Sequence, residues 1–147
     1  MSDDRKPIGS NTYLTDLDVR IWLRDNDPEA NLLLDDFEFT PEEIRTAMTL
    51  TVDHWNEVPP YIRNYDYDKF PFRSMLLRGT AANLLFAAAN RFRRNSLQYQ
   101  GGGMSVDDQN KYQQYDAAGG RLWQEYANWC TMNKRSINAE QGFATLA

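Results

Sequence analysis

Cysteine and histidine each occur once in the 147 residues. A lone Cys130 cannot close a disulfide within the chain or supply a cysteine-based zinc site, and in its aromatic helical setting it reads as a small buried hydrophobe. A lone His54 leaves no His-rich metal site. Beside Trp55, near the end of an expected helix, it reads as a structural residue whose protonated form the helix C-terminus favours. No apolar run approaches the length that crosses a bilayer. The opening MSDDRKPIGS has no apolar stretch of the signal-peptide kind, so a chain that is intracellular when made is expected. A basic excess is missing too: 16 Lys and Arg stand against 21 Asp and Glu, a net charge of −5. That sign disfavours tight wrapping of nucleic acid, although an acidic surface can surround DNA without adhering to it.

The length and the 41% hydrophobic share fit one domain around one core. Aromatics are plentiful, with four Trp and eight Tyr, and they serve cores and interfaces alike. Residues 1–11 are polar, contain Pro7 and Gly9, and read as a flexible arm. A first helix is expected over residues 12–26, with Thr15 and Asp18 at capping-box spacing and Leu14, Leu17 and Ile21 as its apolar face. Asp25-Asn26-Asp27-Pro28 ends it, and Asn31-Leu32-Leu33-Leu34 adds a short apolar patch. Thr40-Pro41-Glu42-Glu43 is the clearest helix start: Thr40 caps, Pro41 needs no amide partner, and Glu43 can reach back. Ile44, Ala47, Met48, Thr51, Val52 and Trp55 then recur on one face until Pro59-Pro60.

After the polar, aromatic loop YIRNYDYDK, a third helix is predicted from Phe70-Pro71-Phe72 to about Asn95. Between Met75 and Ala89 only Arg78, Thr80 and Asn83 interrupt apolar or small residues, which places this helix in the middle of a bundle. Leu97-Gln98-Tyr99-Gln100 alternates and reads as a short strand, followed by a mobile turn at Gly101-Gly102-Gly103. Ser105 and Asp108 would cap a fourth helix running to about Asn133, with Tyr112, Tyr115, Gly119, Leu122, Tyr126, Trp129 and Asn133 as a heptad-type seam. Gly119 and Gly120 in mid-helix call for close packing or a bend. Residues 136–147, SINAEQGFATLA, read as a C-terminal arm with Ile137, Phe143 and Leu146 as apolar anchors. The expected fold is mainly α: a four-helix bundle over residues 12–135, with a short β-hairpin or extended arm and extended termini at 1–11 and 136–147.

Candidate chemistry thins out on inspection. The acidic pairs Glu42-Glu43 and Asp107-Asp108 fall in helix first turns, where the dipole favours them. Asp66 and Asp68 lack the glycine and distal glutamate of a calcium loop. The glycine triplet is followed by carboxylates and no Lys, the wrong charge for a phosphate loop. No catalytic, metal or cofactor set emerges, so a non-enzymatic role is expected. Arg91, Arg93 and Arg94 form the one concentrated basic patch. They read either as cations at a helix C-terminus or, with Tyr99 alongside, as a contact to an acidic neighbouring subunit or to DNA phosphate. Arg78 on the buried helix needs a carboxylate or carbonyl partner, within the chain or from another one.

The succession TPEEIRTAMTLTVDHWNEVPP, YDKFPFRSMLLRGTAANLLFAAANRF and RNSLQYQGGGMSVDDQNKYQQY resembles neck proteins of tailed bacteriophages. Specifically, it is similar to the head-to-tail connector, or adaptor, proteins that dock beneath the portal, and the likeness of layout covers residues 19–138. The resemblance implies a helical bundle bearing a β-hairpin or extended arm, assembled as a homo-oligomeric, commonly dodecameric, ring. Such a ring extends the portal channel, lets double-stranded DNA pass without specific binding, and docks the tail or next neck protein. It implies a virion protein at the head–tail junction, assembled in the host cytoplasm, without cofactor or membrane association. It also implies that the C-terminal arm contacts the portal. Arg91, Arg93, Arg94, Tyr99, Ile137, Phe143 and Leu146 are therefore the expected partner-binding residues. A tail-completion or baseplate protein is the nearest alternative, and a helical nucleic-acid-binding protein using the three arginines a more distant one.

Overall fold

Four helices make up the described part of the chain in the computed structural model, which describes residues 14–23, 39–98 and 106–146. They are α1 (Asp16–Leu23), α2 (Pro41–Glu57), α3 (Arg73–Gln98) and α4 (Val106–Leu146). The N-terminal arm, the Leu32–Leu34 patch, the Ser105 cap and the glycine triplet lie outside the described residues. No helix among those described is long and apolar enough to cross a membrane.

The expected caps of the first two helices form. Thr15 Oγ1 accepts from the Asp18 amide at 3.2 Å, and Asp18 Oδ2 accepts from the Thr15 amide at 3.2 Å, a reciprocal box at the head of α1. Thr40 Oγ1 accepts from the Glu43 amide at 3.1 Å at the head of α2, with Pro41 in the first turn. α2 buries Ile44, Ala47, Met48, Thr51, Val52 and Trp55, the face its spacing predicts, and ends before Pro59-Pro60.

α3 is the central element. Leu76, Ala81, Ala82, Leu84, Ala88 and Ala89 are all buried, and it packs against α1, α2 and, most extensively, α4. Its small residues let neighbours come close. A Cβ on Gly79 would collide with Thr51 of α2 and lie 3.2 Å from the Tyr126 ring of α4. Around this three-way junction the polar groups satisfy one another. Asn83 Nδ2 donates to Thr51 Oγ1 at 3.0 Å and to the Gly79 carbonyl at 3.2 Å, and Tyr126 Oη donates to the Thr51 carbonyl at 2.6 Å.

Several expectations are corrected. No strand occurs among the described residues, so the β-hairpin is not supported: Leu97 and Gln98 are the last turn of α3. Four alternating residues are too few to oppose a helix that is already propagating. The fourth helix does not stop at Asn133, and residues 136–146 continue it as helix instead of forming an extended arm. The segment contains no proline and only Gly142 as a weak helix former. α1 buries Val19 and Arg20, with Leu14 buried just ahead of it, while Leu17 and Ile21 are exposed. Eight helical residues support two overlapping apolar stripes, and packing against α3 selects the one through Val19.

Candidate partner-binding surfaces

The aromatic wealth is spent largely inside. Trp55, Phe70 and Tyr126 are fully buried, and Phe70 lies edge-on to Trp55, Tyr65, Phe72 and Trp129 at centroid separations of 5.4–6.4 Å. Among the described residues only Trp22 and Tyr61 are exposed aromatics. Aromatic abundance therefore argues mainly for the core of this chain and not for contacts between chains.

One titratable residue that sequence reading passed over completes this core. Lys134 of α4 is fully buried. Its ammonium donates to the Asn56 carbonyl at 3.2 Å and to the Val58 carbonyl, and lies 4.5 Å from the centroid of the Trp55 ring. These carbonyls are the orphan acceptors at the C-terminus of α2, where the helix dipole favours a cation. Burial lowers the lysine pKa, with nearby Cys130 opposing that shift. The available signal was its position: Lys134 follows Tyr126 and Cys130 at two successive four-residue steps, a polar group on a core stripe.

Cys130 is buried as expected, and burial pushes its thiol up to about 11, against the opposing effects of the Tyr126 hydrogen bond and Lys134. It is a protonated, packed side chain at neutral pH. His54 departs from expectation. Desolvation lowers its pKa, Glu57 only partly opposing, and the ring lies edge-on to Trp123 at 4.9 Å. The neutral imidazole is thus favoured, because burial outweighs the helix terminus.

The arginine patch is not a helix-end feature either. α3 runs on to Gln98, so Arg91, Arg93 and Arg94 sit before its last turn. Arg91 pairs with Glu43 of α2 at 3.4 Å, and neighbouring Phe92 stacks on Tyr115 at 5.5 Å. Arg93 and Arg94 are exposed. Tyr99 lies outside the described residues, so no common surface of Tyr99 with the arginines is drawn. Arg78 finds its carboxylate within the chain, Glu125 of α4 at 3.3 Å, and also donates to the Ser74 carbonyl at 3.1 Å.

Of the three C-terminal anchors, Ile137 alone has a described side chain. Ile137 packs against the core cluster, on the same side of α4 as Tyr126, Cys130 and Lys134. The side chains of Phe143 and Leu146 lie outside the described ones, while Met132 on the outward side of α4 is 71% exposed. A second surface lies beside α1 and the middle of α3. Trp22 of α1, Leu85 of α3 and Ala118, Arg121, Leu122 and Glu125 of α4 line an open groove of about 400 Å³. Trp22 is 45% exposed there, and Leu17 and Ile21 extend the apolar surface along α1.

A third hollow, of about 310 Å³, is ringed by Asp53, Asp66, Asp68 and neighbours of α2 and the following loop. Among the described residues no three His, Cys, Asp or Glu side chains are grouped to hold a metal ion. The surfaces with most to offer are thus apolar and suited to protein contacts. Comparison with protein-family models, with characterised proteins and with solved structures finds no match in any of the three.

Proposed function

We propose that this protein is a non-enzymatic structural component of a tailed-phage virion, an oligomeric adaptor that docks beneath the portal and receives the next neck or tail protein. The sequence resemblance supplies the identity of the assembly. The observation that carries the assembling role is α4 itself. It continues as helix beyond Ile137, with residues 138–142 exposed, and its outward face bears the exposed Met132. Together with the groove beside Trp22, this gives one small body two unpartnered apolar surfaces, the arrangement expected of a subunit whose contacts are completed by other chains.

The C-terminal turns of α4 are then the segment offered to a partner, as a helix and not as an added strand. An acidic chain suits a channel through which DNA must slide. The nucleic-acid-binding reading is less favoured, since Arg91 is already engaged by Glu43. Electron microscopy of the purified protein mixed with its portal is expected to show a layer of added density below the portal ring. A protein that binds neither portal nor other neck proteins contradicts the proposal.

A further inference from the structure

The C-terminus of α2, the loop after it and the C-terminal part of α4 meet at one side chain. Lys134 reaches across from α4 fully buried, yet its ammonium takes part in no ion pair among the described residues. The groups it contacts are neutral: the Asn56 and Val58 carbonyls, the Trp55 ring at 4.5 Å and the Tyr61 ring at 5.9 Å. A buried cation without a counter-ion persists only where donors are used and the surrounding dipoles favour it. The orphan carbonyls of a helix end and the face of an aromatic ring meet that demand. The stretch of α2 beneath this cation is tied to both flanking segments. Trp55 Nε1 donates to Asn133 Oδ1 at 3.1 Å, one residue before Lys134. Asn56 Nδ2 donates to the Tyr65 carbonyl, and Asn56 Oδ1 accepts from the Tyr65 amide, both at 2.9 Å. Among the described residues, Lys134 makes the only hydrogen bond between residues 58–65 and α4.

We infer that Trp55, Tyr61 and the two carbonyls form a built receptor for a primary ammonium group, filled by Lys134. The cation is the pin on which residues 58–65 and α4 from Asn133 onward open and close as one unit. Both segments are thinly held otherwise: Tyr61 is 79% exposed, and residues 138–142 are exposed as well. A contact made at either segment is then felt at the other, because both draw on one opening equilibrium. This coupling holds whatever partner takes the C-terminal turns, and so stands apart from the adaptor reading.

Amide hydrogen exchange of the full chain, read residue by residue without portal, is the test. In the parent protein the Tyr65 amide and the amides of residues 135–138 should share one opening free energy and one urea dependence. Lys134→Met keeps an unbranched apolar stem and drops the charge. Both sets of amides should then exchange about tenfold faster, while those in the middle of α3 stay unchanged. In Lys134→Ala, n-propylammonium chloride replaces the missing atoms and should slow both sets to within about threefold of the parent. Propan-1-ol, which lacks the charge, and tetramethylammonium chloride, which lacks the N–H donors, should not. Two sets that open independently in the parent overturn the inference. So does a Lys134→Met variant that exchanges like the parent, since the apolar stem would then suffice, or rescue by propan-1-ol equal to that by the amine. Should Lys134→Ala fail to fold, the parent and Lys134→Met decide alone.

Discussion

A methyl group added at Gly119 would lie 3.1 Å from the Phe86 ring and 3.2 Å from the Ala82 carbonyl oxygen, whereas one added at Gly120 would meet nothing within 4 Å. The ring can shift, but the α3 backbone cannot. Gly119 is therefore the point where α3 and α4 approach closely, and Gly120 carries only the conformational cost of a helical glycine. Gly120→Ala is expected to stabilise the protein by about 0.5–1 kcal/mol, from helix propensity alone. Gly119→Ala should destabilise it by about 1 kcal/mol, overpacking outweighing the same gain. Urea midpoints of the two variants check both signs. The glycine pair was legible in the sequence as a demand for close packing. Which of the two meets a neighbour depends on the rotation of α4, which sequence alone leaves open.

His54 gives a residue-scale pH dependence. Its pKa in the folded protein lies below the ordinary 6.5, mainly because of desolvation. The unfolded chain thus binds the extra proton first, and stability is lost as pH falls from above 6.5 through the folded value. Urea midpoints measured at pH 7.5 and pH 5 should fall further for the parent than for His54→Asn, which has nothing to titrate there. Equal falls would place His54 in solvent.

At the scale of elements, the strongest local signals read correctly. Thr40-Pro41 fixed the start of α2, and its six apolar positions are buried together. The α4 seam was visible because Tyr126 and its three- and four-residue neighbours form one stripe against α3. What escaped was decided by tertiary packing or by propagation. α1 exposes Leu17 and Ile21 because Asp18, drawn to Arg73 at 2.7 Å, and buried Val19 set its rotation against α3. Residues 136–146 are helical because α4 is already nucleated and Lys134 and Ile137 hold it to the bundle beyond Asn133.

This last point reshapes the truncation experiment. Removing residues 138–147 should leave thermal stability nearly unchanged, because residues 138–142 are exposed and Ile137, which packs on the core, is kept. Removing 136–147 also deletes Ile137 and should cost about 1 kcal/mol of apolar burial. Both truncated chains should keep their remaining helicity and lose partner docking. A collapse of helicity on the shorter deletion would make the C-terminal turns part of the core.

At the scale of the whole molecule, the bundle is self-sufficient in its interior. The buried side chains form one cluster, Arg78 and Arg91 find carboxylates within the chain, and Lys134 closes the C-terminus of α2. Thr80 Oγ1 is the one buried side-chain polar atom without a partner among the described residues. The exposed large apolar side chains among the described residues lie on α1, at Leu50 of α2, at Tyr61 in the following loop and at Met132 of α4. Class and helix count were legible from periodicity and caps. The unpartnered surfaces were not, because a stripe of apolar residues in a sequence looks the same whether its own fold or another chain covers it.

The central claim, that this surface exists to be covered by other chains, is tested most directly by particle mass in solution, measured by light scattering for the protein alone and mixed with portal. Self-association alone and a further rise in mass on the portal are predicted. A protein that remains a monomer at high concentration and adds no mass to portal would contradict the account.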